Sequence, residues 1–291
     1  MKPNPLLSAH NDQRHFLFFD LDGTLAPYGE FAGSPEAYPV FHRLLARPEI
    51  ITAYVTGRDL QGAKRVIAEH GLPLPNYLAA ADGAIIEKVS EGQFILQQGW
   101  WDVLGRDWSA VSCDAIVDSL SRVSGLVPQE PQFQSRYRAC FYTDYQAEGS
   151  VMVNRVQSAM LGLRLRCQVL HSRDDHRQVG YLDVMPLGSG KLGAVRWLIS
   201  QTGVSLDQAI FAGDAGNDLP ALSSGIRAVM PRNGQEQVHK EAHAALEKKE
   251  RGLSKRIYKA KGGFLGFDGD VLGGVLEGLS MHFPHMREWM V

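Results

Sequence analysis

The stretch FLFFDLDGTLAP, residues 16–27, decides the fold of this chain. Four apolar aromatic and aliphatic residues precede the carboxylate of Asp20, and a second carboxylate follows at Asp22 before Gly23 and Thr24. A buried parallel strand has such a continuous apolar run, and α/β proteins bind ligands at the carboxyl ends of these strands. Two carboxylates on the exit loop suit a nucleophile, a neighbouring acid or base and a divalent cation. Because Asp-Gly after a strand is also an ordinary turn signal, this segment alone leaves both interpretations open.

Three further segments carry polar residues that can share one site with Asp20 and Asp22. They are IITAYVTGRD (50–59), which holds Thr56 and Gly57, MPLGSGKLGAV, which holds Lys191, and AIFAGDAGNDLPAL (209–222), which holds Asp214, Asn217 and Asp218. In order and content the four segments resemble motifs I to IV of the haloacid dehalogenase (HAD) superfamily. The resemblance implies an α/β fold with a Rossmann-like HAD core on a parallel sheet, and a phosphatase that works through a phosphorylated aspartate.

The resemblance also assigns catalytic and phosphate-binding roles. Asp20 is the expected nucleophile, which forms an aspartyl-phosphate and divides the hydrolysis into two easier steps. Asp22 is expected to protonate the leaving oxygen and later to deprotonate the attacking water. The Thr56 hydroxyl, the Gly57 amide and the Lys191 ammonium are expected to bind the phosphoryl oxygens.

A magnesium site is implied by the same resemblance. Its expected ligands are the Asp20 carboxylate, the Asp22 backbone carbonyl and Asp214, with water and phosphate completing an octahedron. Asn217 and Asp218 are expected to orient these ligands rather than to bind Mg²⁺ themselves. A divalent cation would let several carboxylates lie beside a phosphate without prohibitive repulsion.

Composition limits the classes of partner. The chain has 291 residues with a net charge of -2, which gives no reason to expect nucleic acid or an anionic membrane as a partner. No apolar run approaches the roughly 20 residues that a membrane-spanning helix needs, and the N-terminus lacks the apolar stretch of a signal peptide. Three cysteines without a CxxC motif fit a reducing compartment. We therefore predict a cytoplasmic enzyme that acts on a small molecule.

Strand and helix signals alternate along the first 98 residues, which is the pattern of a mostly parallel sheet covered by helices. The predicted strands are 15–20, 50–55, 77–80 and 84–87, and the predicted helices are 35–46 and 59–70. After about residue 98 the pattern changes to a mixed α+β module. Its predicted elements are helices at 109–123 and 148–161 and strands within 136–145, at 164–170 and at 179–186, with a polar turn at 171–178.

The first pattern then resumes with a helix at 191–201, a strand at 209–213 and a helix at 270–280 that has a single buried face. We therefore predict a first core segment at 1–98, an inserted domain at 99–186 and a second core segment at 187–291. The insertion resembles the C2-type cap of the HAD superfamily, and its size and pattern resemble subclass IIB.

Five segments within this subclass resemble the sucrose-phosphate phosphatase branch: QGWWDVLGRDW, SRYRACFY, YLDVMPLGSGK, FAGDAGNDLPAL and GGVLEGL. The resemblance implies a sugar-phosphate substrate, most of all sucrose 6-phosphate or a similar disaccharide phosphate, and a sugar contact from Arg138. The SRYR–FY segment also resembles kanosamine-phosphate phosphatase. The run 81–85, Ala-Asp-Gly-Ala-Ile, is closer to Cof-type phosphatases than to the Gly-Thr-Glu-Ile-like run that is usual in this branch. A kanosamine-phosphate, hexose-phosphate or Cof-type phosphatase is therefore the alternative.

Other functions are less well supported. A phosphomannomutase-like phosphotransferase would share the fold and the cap class, and a non-catalytic sensor would be expected to lack Asp20 or Asp22. GSGK at 188–191 does not satisfy the phosphate-loop pattern GxxxxGK[ST]. The cluster His171, Asp174, Asp175 and His176 is interpreted as a solvated hairpin turn rather than a metal site. Trp100, Trp101 and Trp108 are expected to pack between cap and core more than to stack on a sugar.

Overall fold

The structure, a computed structural model, describes residues 14–108, 111–162 and 165–291. Over these residues the strands are β1 (His15–Phe19), β2 (Ile50–Val55), β3 (Tyr77–Ala80), β4 (Ile85–Ser90), β5 (Gln93–Leu96), β6 (Val127–Pro128), β7 (Ala139–Asp144), β8 (Cys167–Asp174), β9 (Val179–Pro186), β10 (Ala209–Ala212), β11 (Arg227–Met230) and β12 (Ile257–Lys259). The α-helices are α1 (Ala37–Leu45), α2 (Leu60–Glu69), α3 (Gln98–Trp108), α4 (Cys113–Leu120), α5 (Gly149–Gly162), α6 (Gly190–Thr202), α7 (Leu219–Leu222), α8 (Glu236–Lys249), α9 (Val271–His282) and α10 (Arg287–Met290).

The core contains an eight-stranded sheet in the order β12-β11-β10-β1-β2-β3-β4-β5. From β12 to β3 each neighbouring pair is parallel, and β4 and β5 continue the edge as antiparallel strands. The sheet therefore brings the carboxyl ends of β10, β1 and β2 side by side. The predicted α/β core is confirmed.

β1 lies in the middle of three layers because its side chains alternate between two apolar clusters. Phe16 and Phe18 pack in one cluster with α6 and α8, whereas Leu17 and Phe19 pack in the other with α1, α2 and α9. All four side chains are fully buried. The unbroken apolar run before Asp20 is thus explained by helices covering both faces of the sheet.

Helix α9 differs from the prediction of a single buried face. Every residue from Val271 to Ser280 is buried. Its glycines permit this, because a Cβ at Gly278 would lie 2.3 Å from the Val229 side chain of β11, and one at Gly274 would lie 2.0 Å from the Gly269 carbonyl. The helix packs on the sheet through its leucine and valine face and through close backbone contact as well.

The inserted cap has an antiparallel sheet in the order β6-β7-β9-β8. Helices α4 and α5 cover one face, where their apolar residues pack against Phe141 and Leu182. The pairs Tyr142↔Tyr181 and Cys140↔Asp183 fix which side chains point to the other face, towards the core. The cap and one side of the core share a continuous apolar cluster. The domain boundaries at 98 and 186 stay a prediction.

Two cap elements differ from their predicted bounds. The stretch WWDVLGRDW is itself helical, with buried Trp100, Leu104 and Trp108 at a spacing of four residues, and a separate helix begins after Ser112. The Ser112 side chain accepts a hydrogen bond from the backbone N–H of Ala115, which makes it the cap of that second helix. Strand β8 also continues to Asp174, so the polar turn is shorter than predicted.

Among the described residues, no helix combines the length and apolarity needed to cross a membrane.

Candidate active site

The predicted core residues converge at the carboxyl ends of β1, β2 and β10. Asp20 directly follows β1, and its backbone N–H donates to the Ala212 carbonyl at the end of β10. Thr56 directly follows β2, and its N–H donates to Ala79 on β3. Neighbouring parallel strands that end together place their exit loops at one edge of the sheet. The structure therefore brings the four sequence motifs into one site.

Lys191 is the central cation of the site. It lies in the first turn of α6, is buried, and its Nζ is 2.8 Å from Asp20 Oδ1 and 2.7 Å from Asp218 Oδ1. Burial acts to lower the pKa of Lys191, but attraction to the two carboxylates outweighs it and raises the pKa. Burial also raises the pKa of Asp20 well above its usual range, and Lys191 offsets this only in part. The ammonium is thus kept charged beside the expected nucleophile.

Asp218 holds the loop after β10. Its Oδ2 accepts hydrogen bonds from the backbone N–H groups of Asp214, at 3.0 Å, and Ala215, at 3.1 Å. Both carboxylate oxygens are therefore used, one by Lys191 and one by the loop. These contacts agree with an orienting role, which stays a prediction.

A metal ion fits between the core carboxylates. Asp20, Asp214 and Asp218 each offer an oxygen, and these atoms lie within 4.8 Å of one another. A Cβ at Gly23 would lie 2.4 Å from Asp214 Oδ2, so only glycine lets the loop after β1 lie this close to Asp214. Burial and then the charge of Asp218 raise the pKa of Asp214 to about 8. A hard divalent cation, which prefers carboxylate oxygens, would relieve this crowding.

Asp22 makes a contact that the sequence analysis missed. Arg58 Nε lies 2.6 Å from Asp22 Oδ2, and Arg58 Nη2 lies 2.7 Å from Asp22 Oδ1, which is a bidentate pair. The Asp22 side chain is about a quarter exposed, at the edge of the cavity described below. Arg58 directly follows Thr56 and Gly57 in the sequence. Its position in that turn was the signal, because the turn faces the loop after β1.

The residues around Gly57 form a second polar network. Asp82, in the loop after β3, accepts a hydrogen bond from Asn217 Nδ2 at 3.0 Å, and its N–H donates to the Thr56 carbonyl at 2.9 Å. Ala81 and Asp82 both have positive φ angles, near +50°. Non-glycine residues adopt this conformation rarely and only where the surroundings impose it. The loop that departs from the usual pattern of the branch is therefore part of the site.

Arg138 lies at the interface between cap and core. It is buried, and all three of its nitrogens have protein partners: Asp183 in the cap, and Asp82 and the Gly57 carbonyl in the core. Burial, opposed by Arg138, raises the pKa of Asp183 to about 6. The sugar contact expected of Arg138 stays a prediction.

The cap turn after β8 also contacts the core. The Tyr28 hydroxyl donates to Asp174 Oδ2 at 2.5 Å, and Gln235 Nε2 donates to Asp175 Oδ2 at 3.2 Å. The interpretation as an exposed hairpin turn agrees with the structure, in which residues 175–178 form the exposed turn between β8 and β9. Asp174, at the end of β8, and Asp175, which follows it, also bind core side chains. Within the described part of the chain, the metal-binding geometry occurs at Asp20 and its neighbours and not at this turn.

A cavity of about 1310 Å³ lies between the cap and the core. Its core side includes Asp20, Asp22 and Thr56, and its cap side includes Tyr142 and Tyr181. Small-molecule sites commonly have about 300–1,000 Å³, so a disaccharide phosphate has ample room.

The tryptophans Trp100, Trp101 and Trp108 are used in packing, as expected. Trp100 and Trp108 are buried, and the indole N–H groups of Trp100 and Trp101 donate to the backbone of residues 83 and 84.

Comparison with known proteins agrees with this geometry. The family model of sucrose-6F-phosphate phosphohydrolases matches residues 13–283. A protein of Nitrosococcus oceani described as a HAD-like hydrolase is 34% identical over 278 residues, which cover 96% of this chain and 74% of the relative. The mannosylfructose-phosphate phosphatase of Agrobacterium fabrum is 24% identical over 244 residues, which cover 84% of this chain and 89% of the relative.

Among solved structures, the sucrose-phosphatase of Synechocystis in complex with sucrose and phosphate has the same fold. The TM-score is 0.73 at 24% sequence identity, and the match covers 93% of this chain and 98% of that one. The predicted membership of the HAD superfamily and the predicted phosphatase activity are confirmed. The chain belongs to the sucrose-6F-phosphate phosphohydrolase family of HAD phosphatases.

Proposed function

We propose that this protein is a Mg²⁺-dependent phosphatase that hydrolyses a sugar phosphate through an aspartyl-phosphate intermediate. The observation that carries the proposal is the position of Asp20. This buried carboxylate contacts the Lys191 ammonium and opens onto a cavity that the cap closes from the other side. Phosphate-monoester hydrolysis is among the slowest uncatalysed reactions, so the enzyme needs a nucleophile, charge neutralisation and a proton donor together.

The first step is attack by Asp20 on phosphorus. The oxygen of the sugar leaves with the bonding electrons and takes a proton from Asp22, while Lys191 offsets negative charge on the phosphoryl oxygens. Both Asp22 oxygens bind Arg58 in the structure, so at least one of them must turn towards the phosphoryl group during turnover. In the second step Asp22 removes a proton from water, which attacks the aspartyl-phosphate and releases phosphate.

Mg²⁺ is the cation that the oxygen ligands of the site favour. We propose that the Asp20 carboxylate, the Asp22 carbonyl and Asp214 hold it, and that Asn217 and Asp218 orient these groups. When bound, the ion would neutralise charge on the phosphoryl group. Asp218 already binds Lys191 and the loop after β10, which supports an orienting role over direct ligation.

A disaccharide phosphate is the leading substrate. Two relatives, as their names state, act on mannosylfructose phosphate or bind sucrose with phosphate. The volume of the cavity also supports a substrate larger than one hexose. We therefore rank sucrose 6-phosphate or a similar disaccharide phosphate first.

An amino-sugar phosphate such as kanosamine 6-phosphate ranks second. Asp174 and Asp175 line the cap side of the cavity, beside Arg173 and Arg177, and supply carboxylates that an amino group of the sugar could approach. A carboxylate near the sugar would attract an ammonium group. Simple hexose phosphates, as for Cof-type enzymes, and phosphomannomutase-like transfer are the remaining alternatives. A cytoplasmic location stays a prediction.

The test is phosphate release from a panel of esters with and without Mg²⁺, with the Asp20→Asn protein as the control. The panel contains sucrose 6-phosphate, mannosylfructose phosphate, kanosamine 6-phosphate and simple hexose phosphates. A preference of about a hundredfold in kcat/KM for a disaccharide, or about 2.7 kcal/mol of transition-state binding, would support the leading substrate. A flat profile or a monosaccharide preference would contradict it. Retention of phosphate on the product, with dependence on a bisphosphate, would indicate phosphotransfer instead.

A further inference from the structure

We infer that Arg138 is a positioning residue, which fixes the cap against the phosphate-binding turn, rather than a residue that contacts the sugar. The group formed by Arg138, Asp183, Asp82 and the Gly57 carbonyl is named the Arg138 clamp below. The inference deepens the proposed function, because it concerns the same site. Its test depends on the proposed substrate class only in the measurements that use a sugar phosphate.

On the cap side, the clamp is built into the sheet. Arg138 immediately precedes β7, and its Nε donates to Asp183 Oδ1 on β9 at 2.8 Å. The backbone of Arg138 is held as well, because it exchanges hydrogen bonds with Ser135. The pairing of Cys140 with Asp183 sets the register of the two strands beside this contact. The guanidinium is therefore presented to the core by a rigid part of the cap.

On the core side, the guanidinium contacts two loops. Its Nη1 donates to the Gly57 carbonyl at 3.0 Å, and its Nη2 lies 2.9 Å from Asp82 Oδ2. The other oxygen of Asp82 accepts from Asn217 on the loop after β10. One cap side chain thus joins the turn expected to bind phosphate and, through Asp82, the loop that follows Asp214.

The burial and charge of the clamp argue against a direct sugar contact. The side chain of Arg138 is 8% exposed, and those of Asp82 and Asp183 are 3% and 6% exposed. All three guanidinium nitrogens are engaged by the protein. A buried charge that loses its partner is strongly destabilising. If a sugar hydroxyl replaced Asp82 or Asp183 as the partner of a guanidinium nitrogen, a buried carboxylate would lose its counterion.

The clamp makes the phosphate-binding turn depend on the position of the cap. If the cap moves away, Asp82 loses its cationic partner and the Gly57 carbonyl loses its donor. The backbone at Ala81 and Asp82 has unusual positive φ angles, which persist only where the surroundings impose them. Cap closure therefore completes the phosphate site in addition to covering the cavity.

The experiment compares two esters on clamp variants. One ester is the preferred sugar phosphate, and the other is phenyl phosphate, which has no sugar for the cap to recognise. Arg138→Met is expected to lower kcat/KM by about 10- to 100-fold on both esters, since a small misplacement of reacting groups has effects of this size. Arg155→Met, on the outer face of the cap helix α5, is the matched control and should retain both activities.

A double-mutant cycle separates the clamp from a sugar contact. Arg138→Met combined with Asp82→Asn should be no worse than the single variants, because both remove the same connection. The decrease should lie mainly in kcat on phenyl phosphate. A loss confined to the sugar phosphate, expressed as a raised KM with phenyl phosphate unchanged, would overturn the inference in favour of a direct contact.

Arg138→Lys replaces Arg138→Met in this comparison if the Arg138→Met protein does not fold. A lysine ammonium keeps the charge but cannot reach three partners as a planar guanidinium does. A parallel loss on both esters supports the clamp, whereas a loss on the sugar phosphate alone overturns it. If the enzyme hydrolyses none of the sugar phosphates, the proposed substrate class fails. The phenyl phosphate measurements still decide the clamp on their own.

Discussion

The core and the cap use polar residues in different ways. In the core, Asp20, Thr56 and Asp214 each lie just after a parallel strand, so a short apolar run followed by a polar residue predicts their positions. In the cap, polar and apolar residues alternate along antiparallel strands, and only the pairing of β7 with β9 determines which of them share a face. Chemistry that is local in sequence is therefore confined to the core. Which cap residues face the cavity depends on long-range strand register.

The largest expected effect tests the core half of this comparison. Asp20→Asn keeps the side-chain volume but removes the nucleophile, so kcat should fall by at least about 10⁴-fold on every phosphate ester. The melting temperature should stay the same or rise, because a crowded buried carboxylate is removed. Steady-state kinetics and calorimetry measure the two quantities. Substantial residual turnover would rule out Asp20 as the nucleophile.

The role of Asp22 as acid and base is tested by comparing two esters that differ in their leaving group. Asp22→Asn should lower kcat by about 10²- to 10⁴-fold on a sugar phosphate, because protonation of a poor leaving oxygen is lost. The decrease should be smaller on phenyl phosphate, whose leaving group needs less protonation. Arg58→Ala is the companion variant, since it frees both Asp22 oxygens without removing the carboxylate. Equal losses of Asp22→Asn on both esters would contradict leaving-group protonation by Asp22.

Within the core, the contact between the loop after β3 and helix α6 should be intolerant of added volume. A Cβ at Gly83, where φ is +82°, would lie 2.8 Å from both Ala194 Cβ and the Gly190 carbonyl. Gly83→Ala should therefore lower the free energy of unfolding by about 3 kcal/mol through overpacking and backbone strain. Gly71→Ala is the matched control, because its φ is +58° but nothing lies within 4 Å of the added carbon. That variant should lose only about 1 kcal/mol. Equal losses in denaturant titrations would show that the contact between Gly83 and α6 is unimportant.

The cap half of the comparison is tested at Tyr181. Tyr181→Ala removes a ring that lines the cavity beside Tyr142. We expect kcat/KM to fall about tenfold, or about 1.4 kcal/mol, on the preferred sugar phosphate and to change little on phenyl phosphate. Leu161→Ala, at an exposed cap position, is the control. A similar loss on both esters would mean that Tyr181 serves the chemistry rather than selectivity.

The smallest effect lies at the opposite end of the core sheet, where β1 begins. Burial, with repulsion from His285 and Arg227 and partly opposed by Glu49, lowers the pKa of His15 from 6.5 to about 4. The unfolded chain therefore binds this proton at higher pH than the folded protein. The His15 contribution to stability is complete above about pH 6.5 and declines as the pH falls towards 4.

His15→Phe keeps an aromatic ring against Phe283 and Trp289 but removes the titration. The melting temperature of this variant should fall less between pH 7.5 and pH 5.5 than that of the parent protein. Thermal scans at the two pH values measure the difference. An unchanged pH dependence would show that His15 does not contribute to it.

The sequence predicted the core with little error because its signals are local. The bounds of β2 and β3 coincide with the predicted 50–55 and 77–80, and the helix predicted at 59–70 begins after Asp59, whose side chain caps it. The short strands β11 and β12 were missed, since each contains a basic residue and neither is followed by the polar residue that marks the strands of the site. Helix α8 was missed as a part of the core because its polar face dominates its composition.

The site residues that follow a core strand could be predicted from the sequence, and the resemblance to the HAD motifs added Lys191 at the start of α6. Asp20, Thr56, Lys191 and Asp214 come together as expected. The Arg58–Asp22 pair and the Arg138 clamp could not be foreseen, because they join segments that are 36 to 81 residues apart. Charged residues of this kind occur on any protein surface. Only the folded arrangement shows which of them are buried together.

The four strands of the cap sheet are consecutive in the chain, between core strands β5 and β10. Such a segment can be exchanged between relatives as one unit with two junctions, and a chimera would keep the nucleophile of the core. The Arg138 clamp restricts that exchange. A donor cap without an arginine at position 138 would leave Asp82 of the recipient as a buried anion without its counterion. Inheritance of the cap is therefore tied to inheritance of the residue at position 82, and successful chimeras must transfer the two together.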